Sequence, residues 1–245
     1  MTTIDSQSEP LSSPSRVVHC ADAVTWLTQH SVFEHASLVV SLPDISEFPG
    51  LSVHEWKEWF LGVASLVVRR TPDSGVSVFY QSDIKVDGTW IDKGYLCQKA
   101  AEACGSSLLW HKIACRFAPG AMSCGRPGYS HVLCFSKGVR APTDRATMDV
   151  IAHCGEKTWT RGMGLEASLL IAQCIAEHTS SSTIVNPFCG QGAMLAAGNA
   201  VGLNVIGVDR SPKRVEYAQK LSLDLRRKVW IKPLRVRKAD TSLLK

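Results

Sequence analysis

A short β-branched run, Thr183-Ile184-Val185, leads into Asn186-Pro187-Phe188-Cys189-Gly190-Gln191-Gly192, and this stretch limits the folds open to the chain more than any other. The run reads as a buried parallel strand that breaks at Asn186-Pro187 and enters a tight turn carrying two glycines. An apolar helical pattern follows from Ala193 to Ala200, and NVIGVD, Asn204 to Asp209, reads as a second strand ending in an acid. Such a strand, glycine turn, helix, strand and acid is how open α/β sheets hold a nucleoside-bearing ligand. Glycine admits a close backbone approach that a Cβ would prevent, and the acid accepts hydrogen bonds from ribose hydroxyls. Asp209 lies nineteen residues after Gly190, which suits that role. The third glycine of a dinucleotide fingerprint is missing, because Leu195 stands at its position.

Position sharpens the expectation. Only 36 residues follow Asp209, enough for one helix (Pro212–Leu225) and one strand (Pro233–Lys238). The other strands of a doubly wound, mostly parallel sheet must then come from before residue 183, which predicts a circularly permuted Rossmann-like α/β domain. The upstream chain has suitable segments. Leu38–Val40 is a strand running into Ser41-Leu42-Pro43-Asp44. Val53–Arg69 has a helical stripe of Trp56, Trp59, Phe60, Val63 and Val67, with Ser52 and Glu55 spaced as a capping box. Gly75–Asp83 is a further strand, Lys93–Ala103 a helix ending at Gly105, and Leu108–Arg116 and Gly128–Gly138 two strands joined by a Gly/Pro-rich loop. Leu165–Glu177 is the helix before the glycine unit.

NPFCGQG followed by VIGVDRSPKRVEYA resembles motifs I and II of S-adenosylmethionine (SAM)-dependent methyltransferases, of the amino-methylating nucleic-acid type. The order of the two halves is similar to the permuted DNA methylase N-4/N-6 family, over roughly residues 35–240. The resemblance implies a class I methyltransferase fold and SAM as cofactor, held by Asn186, Pro187, Phe188, Gly190, Gly192 and Asp209. It also implies a methionine pocket lined by Thr160, Gly162 and Met163. Asn186 stands where the family usually has Asp, which keeps a hydrogen-bonding side chain and loses a charge. SLPD aligns with the family's strand-end tetrapeptide [D/N/S]-P-P-[Y/F/W], in which the polar residue and a prolyl carbonyl accept from an exocyclic amine and the aromatic stacks on an extruded base. That implies catalytic roles for Ser41, Pro43 and Asp44. Leu42 replaces the first proline, and Asp44 replaces the aromatic. Either another ring (Phe48, Tyr80 or Trp90) holds the base, or Asp44 is itself an acceptor for an amino proton, or activity is lost, or Pro43-Asp44 simply starts a turn. Asp83 is a strand-end acid beside the cofactor or a solvated turn residue.

DNA methyltransferases of this order usually carry a large recognition insert after the strand matching GYSHVLCFSKG. Here about twenty residues, Val139–Thr158, intervene. Reading a DNA sequence takes an element in the major groove, whereas splayed single-stranded bases or folded RNA do not need one, so RNA is expected over DNA. Arg126 and Tyr129, in the loop Ala118–His131, together with Phe48, Asp83 and Trp90, are candidate substrate contacts; His131 reads more readily as a satisfied strand histidine. Arg226–Lys238 holds seven basic residues in thirteen around Trp230, a candidate phosphate patch with a stacking ring or a solvated edge. Two further functions stay open: a DNA N4-cytosine or N6-adenine methyltransferase, and a catalytically silent RNA-binding or assembly protein of methyltransferase shape.

Residues 1–16, rich in Ser, Thr and Pro, read as a disordered tail ahead of a single domain over 17–245, with its catalytic half at about 35–138 and its cofactor half at about 158–245. No apolar run suggests a membrane span, and the tail lacks a signal-peptide core. Nine scattered cysteines without a C-x-x-C pair point to a reducing, cytoplasmic setting, with no metal site or disulfide expected.

Overall fold

The structure, a computed structural model, describes residues 13–142, 144 and 147–233. Its strands are β1 (Arg16–Cys20), β2 (Ala36–Val40), β3 (Ser77–Gln81), β4 (Ile84–Val86), β5 (Thr89–Ile91), β6 (Ser107–Cys115), β7 (Tyr129–Ser136), β8 (Val150–Ile151), β9 (Thr183–Asn186), β10 (Asn204–Asp209), β11 (Ser222–Asp224) and β12 (Val229–Ile231). The helices are α1 (Ala23–Gln29), α2 (Val53–Arg70), α3 (Lys93–Glu102), α4 (Leu165–His178), α5 (Ala193–Ala200) and α6 (Pro212–Lys220).

Eight strands form one sheet in the order β1-β10-β9-β2-β3-β7-β6-β8. The first five run parallel, β7 lies antiparallel between β3 and β6, and β8 pairs parallel to β6. The central strands read as unbroken apolar runs because both faces are covered. Trp56, Phe60, Val63 and Val67 of α2 pack with α1 and α3 on one face. Ala167, Ile171 and Ile175 of α4 pack with Met194 and Leu195 of α5 on the other. The capping box read from Ser52 and Glu55 is formed: Glu55 N donates to Ser52 Oγ at 3.2 Å, and Ser52 N to Glu55 Oε2 at 2.8 Å. This cap fixes where α2 starts, shortly after the SLPD segment.

The structure departs from the sequence expectations in four places. The helix expected over Pro212–Leu225 stops at Lys220, and the chain turns into the β11–β12 hairpin through Lys228, at φ 50°. Most of the strand expected at Pro233–Lys238 lies outside the described residues; the place beside β10 is filled by β1, whose first residue, Arg16, falls inside the segment read as tail. Residues 1–12 lie outside the described residues. The segment Asp83–Tyr95, whose polar sequence reads as a loop above the sheet edge, contains the β4–β5 hairpin, closed by Asp87 and Gly88 with φ of 48° and 79°, the Asp-Gly turn chemistry that two-residue hairpins need. Trp230 is 6% exposed and donates its indole N–H to Glu156 O at 2.9 Å, so it is a packing residue, not an open stacking ring.

Arg16 binds the N-terminal strand to the C-terminal half. Its guanidinium reaches Asn199 Oδ1 at 2.8 Å, Ala218 O at 2.9 Å and Leu221 O. Charged hydrogen bonds are worth about 1.5–3 kcal/mol each when a buried acceptor is otherwise stranded. Arg16→Ala is therefore expected to lower unfolding stability by about 2–3 kcal/mol, read as a drop in urea midpoint with an unchanged slope.

Candidate active site

The sheet order reverses between β9 and β2: β9 leads on to β10 on one side, and β2 to β3 on the other. The crevice outside the carboxyl ends of strands at such a point is where open α/β sheets bind ligands. Both signature segments meet there. Asn186 ends β9, Asp209 ends β10, and Ser41 follows β2. A cleft of about 400 Å³ runs along this edge, lined by Ser41, Pro43, Asp44, Phe48, Asp83, Arg126, Met163, Asn186, Pro187, Phe188, Gly190 and Asp209. Thr160, Gly162 and Tyr80 line it as well.

Gly192, Trp90 and Tyr129 are not in its wall. Gly192 sits at φ 82° with its Cα turned to α6, where a Cβ would come within 2.8 Å of Ala218 Cα. A side chain at this position would collide with α6. Trp90 is 50% exposed on the β4–β5 hairpin, with Lys85 Nζ 5.8 Å from its ring centroid. Tyr129 stands edge-on to His131 at 5.3 Å, its hydroxyl pushed up by burial and then by the Asp83 carboxylate.

The glycine turn is held by the acid that was expected to hold ribose. Gly190 N donates to Asp209 Oδ2 at 3.1 Å, and Ser211 N to Oδ1 at 2.8 Å. Each carboxylate oxygen keeps a second lone pair, so the clamp and a bound diol are compatible. Asn186, 5% exposed, accepts from Phe188 N at 3.3 Å through Oδ1, which bends the chain into the turn. Trp159 covers the same turn: a Cβ on Gly190 would lie 3.4 Å from its ring. Arg214 stacks on that indole at 4.8 Å and reaches Asp209 Oδ2 at 3.6 Å. Cys189 is buried behind the turn, and burial, then Asp209, pushes its thiol up to about 12. A protonated thiol there is no nucleophile.

The SLPD segment is built as a rigid strand end. Pro43 O accepts from Trp56 Nε1 at 3.3 Å, and the fully buried Trp56 fixes the segment onto α2. Ser41 Oγ makes no hydrogen bond among the described residues. Asp44 is ion-paired with Lys93, whose side chain is 3% exposed against 40% for the carboxylate. The first residue of α3 thus projects a buried ammonium at the position following the prolyl turn. Phe48 packs on Trp59 at 4.4 Å, and both rings line the cleft.

A second polar chain runs outward from Asp83. Its Oδ1 accepts from Lys93 N at 2.9 Å and its Oδ2 meets His131 Nε2 at 3.0 Å; His131 Nδ1 lies 2.9 Å from His111 Nε2. Burial pushes the Asp83 carboxyl up, but the hydrogen bonds from His131 and the Lys93 backbone outweigh it and leave it below the usual range. His111 is pushed down by burial and by His131. Asp83, Asp92 and His131 bring ligand-type atoms within 4.8 Å of one another. Both carboxylates already serve backbone N–H groups at the start of α3, Asp92 Oδ1 taking Tyr95 N at 2.8 Å. Lys93, Trp159, Arg116, Lys157, Arg161 and Arg214 are cleft residues that sequence reasoning did not single out.

No protein-family model matches the chain, and no curated protein matches it in sequence. Solved structures do match. The putative DNA modification methylase TTHA0409 of Thermus thermophilus, complexed with S-adenosyl-L-methionine, superposes with a TM-score of 0.64 at 19% identity, over 84% of this chain and 93% of that one. PvuII DNA methyltransferase, cytosine-N4-specific, gives 0.62 at 15% identity over 84% and 86%. The M1.HpyAVI–SAM complex gives 0.59 at 16% over 84% and 98%. The fold is that of a class I methyltransferase. No helix among the described residues is long and apolar enough to cross a membrane.

Two outcomes test this geometry. Asp83 has a depressed folded value, so its contribution is present above the ordinary carboxylate value of about 3.9 and is lost as pH falls through the depressed one. The stability gap between wild type and Asp83→Asn is therefore greatest above about pH 4 and shrinks below it, read by denaturant titration at each pH. Iodoacetamide at neutral pH is expected to label the exposed Cys20 and Cys124 well before Cys189, read by peptide mass spectrometry.

Proposed function

We propose that this protein is a SAM-dependent methyltransferase that methylates an exocyclic amine of a nucleic-acid base. The observation that carries it is the adjacency of the NPFCGQG turn on β9 and the SLPD strand end on β2 across the switch point of one sheet. The residues present fit the cofactor: a turn with no Cβ at Gly190, an acid with free lone pairs at Asp209, a buried amide at Asn186, and an aromatic wall at Trp159. When bound, SAM supplies a methyl group already activated on a sulfonium. The chain's part is alignment and exclusion of water.

Ser41 Oγ is free to accept one amine hydrogen, and the strand-end carbonyls beside it offer further lone pairs. Two such contacts turn the amine lone pair toward the cofactor side of the cleft. Asp44 stands where the family's stacking ring would be, and its pairing with Lys93 makes it a fixed, neutralised acceptor and not a free base. Phe48 and Trp59 are the rings at hand to flank a base, and Tyr80 lies deeper. The permuted order is supported by β9 and β10 lying late in the chain yet inside the sheet.

DNA is the first polymer to test, because the structures that share the fold are DNA methyltransferases by name. RNA is the second reading. It is favoured by the short connection from β7 to α4, which holds only the two-residue strand β8 among its described residues and no recognition domain. Both polymers would be presented as unpaired or extruded bases.

The test has two parts. Isothermal titration is expected to show SAM binding that Asp209→Asn weakens about tenfold or more, and no binding to the wild type would sink the proposal. Mass spectrometry of nucleosides from DNA and RNA of a knockout then identifies the polymer and base by the N-methylated nucleoside that disappears. With that substrate, Ser41→Ala is expected to lower kcat about 10–100-fold with SAM affinity unchanged, as for loss of one hydrogen bond tightened in the transition state.

A further inference from the structure

Where β6 and the segment before α4 reach the cleft, two cations lie without partners. Arg116 follows β6, and Lys157 lies in the segment before α4, where it bridges to Gly164. Both line the cleft and both are half-buried. Neither side chain makes an ion pair or a hydrogen bond among the described residues. Three other cleft cations are matched: Lys93 with Asp44, Arg161 with Glu47 at 3.1 Å, Arg214 with Asp209. The Lys157 amine is pushed down by burial and then by the charge of Arg116, so the two cations feel each other. Holding like charges together and half out of water is unfavourable unless an anion joins them.

Two orphaned hydroxyls lie in the same region. Tyr80, 5% exposed and part of the cleft wall, has a buried hydroxyl with no hydrogen-bond partner. Burial pushes that hydroxyl up to about 12, so it stays a donor at neutral pH. The Ser130 hydroxyl on the adjoining strand is its nearest polar neighbour and is itself engaged with Ser82 Oγ at 2.6 Å. Thr158 Oγ1, next to Lys157, is likewise buried and unpartnered. Arg126, exposed on the loop between β6 and β7, also borders the cleft.

The geometry points to an anion subsite in which Arg116, Lys157 and the Tyr80 hydroxyl hold a backbone phosphate of the strand being modified; this rests on the nucleic-acid reading given above. Two of the three groups sit on the side that favours a phosphate of the target over the carboxylate of the cofactor. Tyr80 and Arg116 come from β3 and β6, beyond β2 on the side away from β9 and β10. An arginine fork with a lysine point charge suits a tetrahedral oxyanion, and a phosphate fixed there would set the register of the base that enters beside Ser41.

The test uses the full chain and single-stranded DNA and RNA oligonucleotides of about 16 nucleotides, titrated between about 50 and 200 mM salt. Arg116→Gln/Lys157→Gln is expected to weaken oligonucleotide binding about tenfold and to make the slope of log K against log salt shallower by about 0.7 per phosphate lost. Lys57→Gln/Lys99→Gln, which removes two charges outside the cleft wall, is expected to leave the slope within error. Circular dichroism and thermal melting verify that both variants are folded, and Arg116→Lys alone is expected to retain most of the binding. Equal slopes for wild type and the cleft variant overturn the subsite and leave the function standing. Loss of SAM affinity in the cleft variant with the oligonucleotide slope unchanged also overturns it, assigning the cations to the cofactor's carboxylate. A wild type that binds SAM but neither oligonucleotide refutes the nucleic-acid reading. In that case, tighter binding of CMP or AMP than of the nucleoside, lost in the cleft variant, would give the phosphate to a free nucleotide and overturn the strand as its source.

Discussion

Parallel pairing of β2 with β9 is the seam on which the molecule depends. Ala36, Ser37 and Leu38 lie opposite Thr183, Ile184 and Val185, so two stretches about 145 residues apart are laid edge to edge in one register. A buried hydroxyl pair, Ser37 and Ser181 at 2.8 Å, closes the seam at its lower end. A slip of one residue would turn the buried side chains to the wrong face, and it would also separate Ser41 from Asn186. The chemistry proposed for the cleft needs those two strand ends at one height, so register here is a functional quantity as well as a stability one.

The two sides of the seam are stiffened by different means. On the β9 side a single carboxylate gathers backbone N–H groups: Asp209 ties Gly190 and Ser211, and its remaining lone pairs face the cleft. On the β2 side, stiffness comes from large side chains, with Trp56 under Pro43 and Lys93 under Asp44. Charge at the two strand ends is therefore prearranged. The methyl transfer proposed for this cleft would gain more from fixed charges than from mobile ones, since fixed dipoles need no reorganisation as the reaction proceeds.

Much of this was legible in the residues, and the failures have physical causes. NPFCGQG and the acid of NVIGVD could be placed because glycine conformations and strand-end acids are local demands. SLPD could be placed at a strand end because Leu38–Val40 is apolar and ends at a proline. Lys93 could not, since its partner lies 49 residues away and a lysine opening a helix looks like solvent-facing charge. Trp159, Arg116 and Lys157 were missed for the same reason: only tertiary contacts bring them to the cleft. Spacing alone does not say which way a glycine faces; the closeness of α6 to Gly192 shows only in the fold. The Asp87-Gly88 hairpin was readable and overlooked, its flanking strands being only three residues long. β1 hid behind a Ser/Pro-rich stretch, and Trp230 sat in a run whose charge masked its packing.

The position of β1 also bears on how the chain comes to be folded. Ser15 and Asn204, which hydrogen-bond at the sheet edge, are 189 residues apart. β1 thus has no partner strand until β10 has been made. The β2–β3–β7 portion can condense earlier, since its pairings are closer in sequence. Assembly is then expected to run from the β2–β3–β7 portion toward the β9–β10 edge, with β1 among the last strands to dock.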